Sequence, residues 1–242
     1  LPDEKVYAKP PPGYKKPLAK EQAAIASIER ALVRDSMVVL TANNNVNGNA
    51  VFMFCNVSSV HNIEGTPKAD FAIANATHSL FVSHKAGGGV RAFQQYSGTT
   101  SAAGFSIAQS EELTDFLDEL SVYHSNIVSN RKRFFRPLTS QDLIKRAIFG
   151  PDFGCDFGKD NVHVIGQGEP TLTNYEGRYY TLTFSDHASL NGDVSGFTNG
   201  YQPVFAARYT QHRGFEVKGK KYRDVRVLIS PRALLSPKAI QL

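Results

Sequence analysis

Residues 65–98 read GTPKADFAIANATHSLFVSHKAGGGVRAFQQYSG. Lys68-Ala69-Asp70-Phe71-Ala72-Ile73-Ala74 has the apolar content of a strand and carries one acid. Asn75-Ala76-Thr77-His78 is a polar turn. Ser79 to Lys85 forms a second strand that ends on a lysine, just before the glycines Gly87 to Gly89. Side chains alternate across a strand, so Lys68, Asp70 and Ala72 share one face, and Phe81, Ser83 and Lys85 share one face of the partner strand. A register that sets Asp70 beside Ser83 and Lys85 brings a carboxylate, a hydroxyl and an ammonium together. His84 alternates away from them, which makes it a packing or surface residue.

An aspartate supplies the hard oxygen ligand that Mg²⁺ prefers. A lysine beside it can orient or deprotonate a water molecule, or stabilise developing negative charge. The plainer reading is a cross-strand ion pair contributing a few tenths of a kcal/mol up to about 1 kcal/mol. In that case Ser83 is an ordinary strand residue.

Working outward, Glu21 to Arg34 reads as a helix. Ile25, Ile28 and Leu32 recur at helical spacing among good helix formers. Glu21 complements the helix dipole or, like Glu29, aims a carboxylate at a site beneath the helix. Ser36 to Thr41 and Asn49 to Val57 are β-rich runs separated by an Asn47-Gly48 turn signal. Ser110 to Tyr123 is a second helix, with Ser110 as N-cap and Leu113, Phe116, Leu117 and Leu120 on one face. Ser140 to Phe149 is a third, followed by a loop rich in glycine and aspartate at residues 150–158. From Asn161 onward strands dominate, at 162–165, 178–184, 204–209 and 225–229. The expected organisation is an extended arm at 1–20, an α/β core at 21–160 and a β-rich basic extension at 161–242.

Of 242 residues, 41% are hydrophobic and 20% charged, the composition of a soluble globular protein. No apolar run approaches the roughly 20 residues of a membrane helix. No signal peptide is visible, and an intracellular location is expected. Two cysteines, Cys55 and Cys155, are too few for a disulfide framework, and the seven histidines show no zinc-ligand spacing. The arm, with three consecutive prolines, favours polyproline II and makes no internal hydrogen bonds. A protein partner, another subunit or a groove on its own domain is expected to hold it.

The net charge of +5 is unevenly spread. Residues 61–130 sum to −4, whereas nine Lys/Arg against Glu216 and Asp224 leave residues 201–242 at +7. An acidic centre with basic ends suits a cation site flanked by phosphate-binding surfaces, and it also suits a protein with a solvated basic tail. Arg131-Lys132-Arg133-Phe134-Phe135-Arg136 interleaves charge with aromatics as nucleic-acid surfaces do, or is a basic helix end packed by its two phenylalanines. Residues 214–226, with Lys218, Lys220 and Lys221, read as a basic hairpin able to meet phosphates.

Three pieces carry a family likeness: Gly65-Thr66-Pro67-Lys68-Ala69-Asp70, then Ser83-His84-Lys85, then Phe93-Gln94-Gln95-Tyr96-Ser97-Gly98. Together they resemble the PD-(D/E)xK, restriction-endonuclease-like nuclease superfamily, over roughly residues 21–100. The resemblance implies a mixed sheet flanked by helices and Mg²⁺-dependent cleavage of nucleic acid, DNA favoured. It matches Asp70 to the metal-binding aspartate, Lys85 to the catalytic lysine, and Gln94 or Gln95 to a polar residue on the following helix. Ser83 stands where the family has an acid, so either Glu21, Glu29 or Glu64 supplies the second carboxylate or activity is weakened or lost. Sequences of this type look phage-like, which leaves a non-catalytic virion or assembly component with the same fold as a rival. The glycines at 87–89, with Asn75-Ala76, also resemble the phosphate loop of a macro domain, an ADP-ribose-binding module.

Overall fold

A computed structural model describes residues 18–31, 36–41, 50–63, 68–85, 97–98, 110–151, 158–175, 179–190 and 201–233. Most of the Pro-rich arm, the Asn47-Gly48 turn, Gly87 to Gly89 and the loop at 152–157 lie outside those residues. The chain is α/β with mixed sheets and divides into two compact units, each assembled from separated segments. No helix among the described residues is long and apolar enough to cross a membrane.

One unit contains α1 (Leu18–Ala31), β1 (Ser36–Thr41), β2 (Ala50–Val57), β3 (Ser59–Asn62), β4 (Phe71–Ala74) and β5 (Ser79–Lys85). It also contains β8 (Val164–Gln167), β9 (Pro170–Tyr175), β10 (Tyr179–Phe184) and β11 (His187–Leu190). Its strands form a sheet of order β2-β1-β10-β9 and another of order β11-β8-β5-β4-β3. Strands from both sides of residue 160 pair here, because β5 runs parallel to β8 and β1 parallel to β10. Parallel partners need a long connection, which is why they come from distant parts of the sequence. Helix α1 starts at Leu18, three residues before the Glu21 expected from the sequence. Its Ile25 and Ile28 are buried with Val57, Val60, Phe71, Ile73, Leu80, Val82, Val164, Leu182 and Phe184 in one core cluster.

The alternation predicted for the hairpin at 68–85 is what fills this core. Phe71 and Ile73 pair with Val82 and Leu80, all four fully buried. The turn between them is closed by Asn75, whose Oδ1 accepts from Thr77 N at 2.9 Å and His78 N at 2.7 Å. Gly166 in β8 is a packing requirement: a Cβ there would fall 2.2 Å from the Phe184 ring.

The other unit contains β6 (Ser97–Gly98), α2 (Glu111–Asn130), β7 (Arg133–Pro137), α3 (Gln141–Phe149), β12 (Tyr201–Val217) and β13 (Lys220–Ala233). Its sheet has the order β6-β13-β12-β7. Phe116 of α2 stacks on Phe134 and Phe205 of that sheet, at 5.2 and 5.4 Å between ring centroids. Helix α2 runs seven residues past the expected end at Tyr123. Residues 124–130 have weak helix propensity, but Ile127 is fully buried and His124 Nε2 donates to Arg223 O at 3.0 Å, so tertiary contacts extend it. Arg131, at φ 50°, ends the helix, and Arg133 to Pro137 continue as a strand, so the basic cluster is not a helix end beyond its first residue.

Both helix starts read from serines hold: Ser110 Oγ accepts from Leu113 N at 3.1 Å, and Ser140 Oγ from Leu143 N at 3.3 Å. Ser110→Ala is expected to cost about 1 kcal/mol in urea unfolding, the usual loss when an N-cap acceptor is removed.

Candidate active site

Asp70 sits one residue ahead of β4, tied into the sheet by its own backbone. Its N donates to Val82 O at 2.8 Å, and its carbonyl accepts from Ile63 N at 3.1 Å. With Phe71 opposite Val82, the residue facing Asp70 is Ser83. Ser83 Oγ donates to Asp70 Oδ2 at 3.1 Å and the His84 backbone N donates to the same oxygen at 2.5 Å. Lys85 Nζ lies 3.7 Å from that oxygen. All three contacts fall on Oδ2, and Oδ1 takes none of them. The side chains of Asp70 and Lys85 retain 21% and 33% of their exposure, so both ends of the pair meet solvent, whereas Ser83 is fully buried.

The hairpin register therefore brings Asp70, Ser83 and Lys85 together. Ser83 is an O–H donor to the carboxylate. It orients Asp70 and does not act as a second acid. Lys68, two residues before Asp70 and ahead of β4, joins the group electrostatically. Its pKa is lowered to about 7, mainly by burial, further by the Lys85 charge, and against the opposing pull of Asp70. The register also sets Gln167 of β8, a buried polar residue, beside Lys85. The sequence pattern puts Lys68 in the strand with Asp70, but the strand begins only at Phe71, and nothing in the neighbours of Lys68 along the chain reveals its desolvation. Gln167 lies 82 positions beyond Lys85, and only the parallel pairing of β5 with β8 brings it there.

The remaining candidates divide. Glu29 is exposed on α1, and no group of three or more His, Cys, Asp or Glu able to hold a metal ion is found among the described residues. Glu64, Gln94 and Gln95 lie outside those residues, as does the side chain of Glu21. His84 packs as its alternation required: it is buried, its ring lies near Phe71 and Phe184, and Nε2 donates to Gly168 O at 2.6 Å.

Three of the six cations expected to meet nucleic acid have intramolecular company. Arg131 lies over the Tyr209 ring at 5.2 Å, Lys220 lies 5.5 Å from the centre of the Tyr222 ring, and Lys221 pairs with Glu216 at 3.8 Å. Lys218 sits with Gly219 in the two-residue turn between β12 and β13, both at positive φ, as a tight hairpin requires. Lys132 lies between α2 and β7, and Arg133 is exposed at the start of β7.

His163, one residue ahead of β8, contacts Phe81 of β5. Its Nδ1 accepts from Phe81 N at 3.1 Å and its ring stacks on Phe81 at 6.2 Å. Burial lowers its pKa from 6.5 to about 4. Protonating Nδ1 would also break the bond from Phe81 N. The unfolded chain therefore binds a proton between pH 6.5 and 4 that the folded chain refuses. Stability that is complete above pH 6.5 is lost as pH falls towards 4, by up to about 3 kcal/mol. His163→Asn, which keeps an acceptor, is expected to flatten unfolding free energy across that window relative to wild type.

The chain is 33% identical over 181 residues to the type II restriction enzyme CviJI of Paramecium bursaria Chlorella virus IL3A, an alignment covering 71% of this chain and 50% of that protein. The chain thus spans about half the length of this curated relative. No family model matches, and no solved structure matches.

Proposed function

We propose that this chain carries the cleavage centre of a Mg²⁺-dependent DNA endonuclease with a restriction-endonuclease-like core. The observation that carries the reading is the convergence of Ser83 Oγ, His84 N and Lys85 Nζ on one oxygen of Asp70. Similarity to a type II restriction enzyme supports DNA as the substrate and phosphodiester hydrolysis as the reaction.

The donor set fits a divalent cation. One carboxylate oxygen is pinned by two hydrogen bonds and an ion pair, which aims the other at partly open space. Mg²⁺ is commonly held by one or two carboxylates, several waters and the substrate phosphate, so Asp70 with a phosphodiester oxygen is a sufficient start. When bound, the ion would polarise the phosphoryl group and acidify a water. Ser83 and the His84 amide hold the Asp70 carboxylate in place, Lys85 orients the attacking water or neutralises the charge that develops on the phosphoryl oxygens, and Gln167 stands beside Lys85 on the paired strand. Glu29, Glu64 and Gln95 remain candidates for completing the coordination shell or contacting phosphate.

A second reading has one observation in its favour. Ser83 donates to Asp70 where the nuclease superfamily that this stretch resembles has an acid, which suits a non-catalytic assembly protein built on the same fold. Titrating the chain with Mg²⁺ by calorimetry and incubating it with duplex DNA, with and without EDTA, separates the two. Cation binding and EDTA-sensitive cutting are expected. Neither appearing, in a folded chain, would leave the assembly role.

A further inference from the structure

The sheet of the second unit has two unlike faces. On the face towards α2, Arg136 is paired with Asp115 at 3.4 Å and with Glu119 at 2.9 Å, a structural role. On the opposite face, the register sets Arg208 of β12 directly across from Arg133 of β7 on one side and from Arg226 of β13 on the other. In-register neighbours on adjacent strands share a face with Cβ atoms about 5 Å apart. The result is one rung of three arginines across three strands.

Such a rung is costly by itself, since like charges directly opposite one another destabilise a sheet. Arg133 and Arg208 take part in none of the ion pairs found among the described residues. The rung beside it, Phe135-Ala206-Leu228, is apolar, with Ala206 and Leu228 buried. The arginines therefore lie where that face opens: Arg133 is exposed, while Arg208 and Arg226 are half-buried. Burial and the neighbouring Arg133 charge both lower the Arg208 pKa, which is the expected signature of crowded guanidinium groups.

We propose that the Arg133-Arg208-Arg226 rung is a clamp for the phosphodiester backbone of duplex DNA. Charge complementarity and geometry both favour this occupant. All three side chains are arginines, whose planar forks grip phosphate with two parallel hydrogen bonds, which a lysine cannot do. Strands spaced about 4.8 Å apart spread the three charges over roughly 10 Å, the rise occupied by about three phosphates of one DNA strand. A bound backbone relieves the repulsion between the neighbouring Arg133 and Arg208 charges. The clamp reads no base and sets affinity, not sequence preference. It rests on the nuclease reading only for the identity of the polyanion.

The test is duplex binding by fluorescence anisotropy in EDTA, across a salt series, with the full chain. Each arginine that neutralises a phosphate contributes about 0.9 to the slope of log affinity against log salt. The triple variant R133Q/R208Q/R226Q is expected to lose about 2 to 3 from that slope, equally on unrelated sequences. Arg30→Gln, an exposed site on α1, should leave it unchanged. If the triple variant does not fold, the exposed Arg133→Gln alone should lower the slope by about 1. A folded variant with wild-type affinity and slope overturns the clamp. Plasmid cutting by the wild-type chain in Mg²⁺ reads the nuclease separately, so either idea can fail without the other.

Discussion

Asp70→Asn is expected to reduce Mg²⁺-dependent cleavage by about 10³-fold or more, with little change in folding. The carboxamide oxygen of asparagine can still accept from Ser83 Oγ and His84 N, so the two hydrogen bonds that hold the residue survive. What disappears is the negative charge. The pairing with Lys85 is partly exposed and contributes no more than about 1 kcal/mol to stability. A cation held through a carboxylate depends on that charge directly, and its contribution to the barrier is several kcal/mol. Calorimetry should show Mg²⁺ binding lost along with cutting. Full cleavage by Asp70→Asn would remove Asp70 from the centre.

Lys85→Met is the second large effect, about 10²- to 10⁴-fold in single-turnover rate, the range for removing a group that moves or neutralises charge in the transition state. Methionine keeps an apolar stem of similar length, and the hydrogen bonds on Asp70 do not involve Lys85. Mg²⁺ affinity should therefore hold, and the loss should lie in the rate of the bound complex. Lys85→Arg sharpens the assignment. An arginine stays charged at any accessible pH. Partial rescue would mean that Lys85 neutralises charge, and no rescue would mean that it handles the proton. Wild-type rates in Lys85→Met would sink the role altogether.

The candidate centre was readable because it is local. Asp70, Ser83 and Lys85 lie within sixteen positions on a single hairpin. Apolar alternation assigns their faces, and the polar turn at residues 75–78 sets the pairing. The same holds for the capping serines at 110 and 140, whose partners lie three residues away. Less legible was the length of β12 and β13, which run 17 and 14 residues. Tyr209 faces Val225, but the next pair is Gly214 with Arg223, so several residues of β12 bulge opposite Asp224. Asp224 Oδ1 accepts from His212 N at 2.8 Å and holds that bulge. An interruption of this kind breaks the period-2 pattern along the sequence without ending the strand.

The arginine rung was hidden for a different reason. Arg133 falls in the basic run at 131–136, but Arg208 and Arg226 sit 75 and 93 positions further on, and no local pattern joins the three. Of the other cations in the charge runs, Arg131, Lys220 and Lys221 have aromatic or acidic neighbours within the chain.

By itself, the sequence determined the helix caps, the hairpin at 68–85 and the face that carries Asp70, Ser83 and Lys85, because hydrogen bonds and alternation act between residues a few positions apart. Only the tertiary structure decided that Ser83 orients Asp70, that Lys68 is driven to a pKa of about 7, that Gln167 lies beside Lys85 and that three arginines share a rung. Each of those depends on burial or on a register between distant strands, and both are properties of packing that no local pattern encodes.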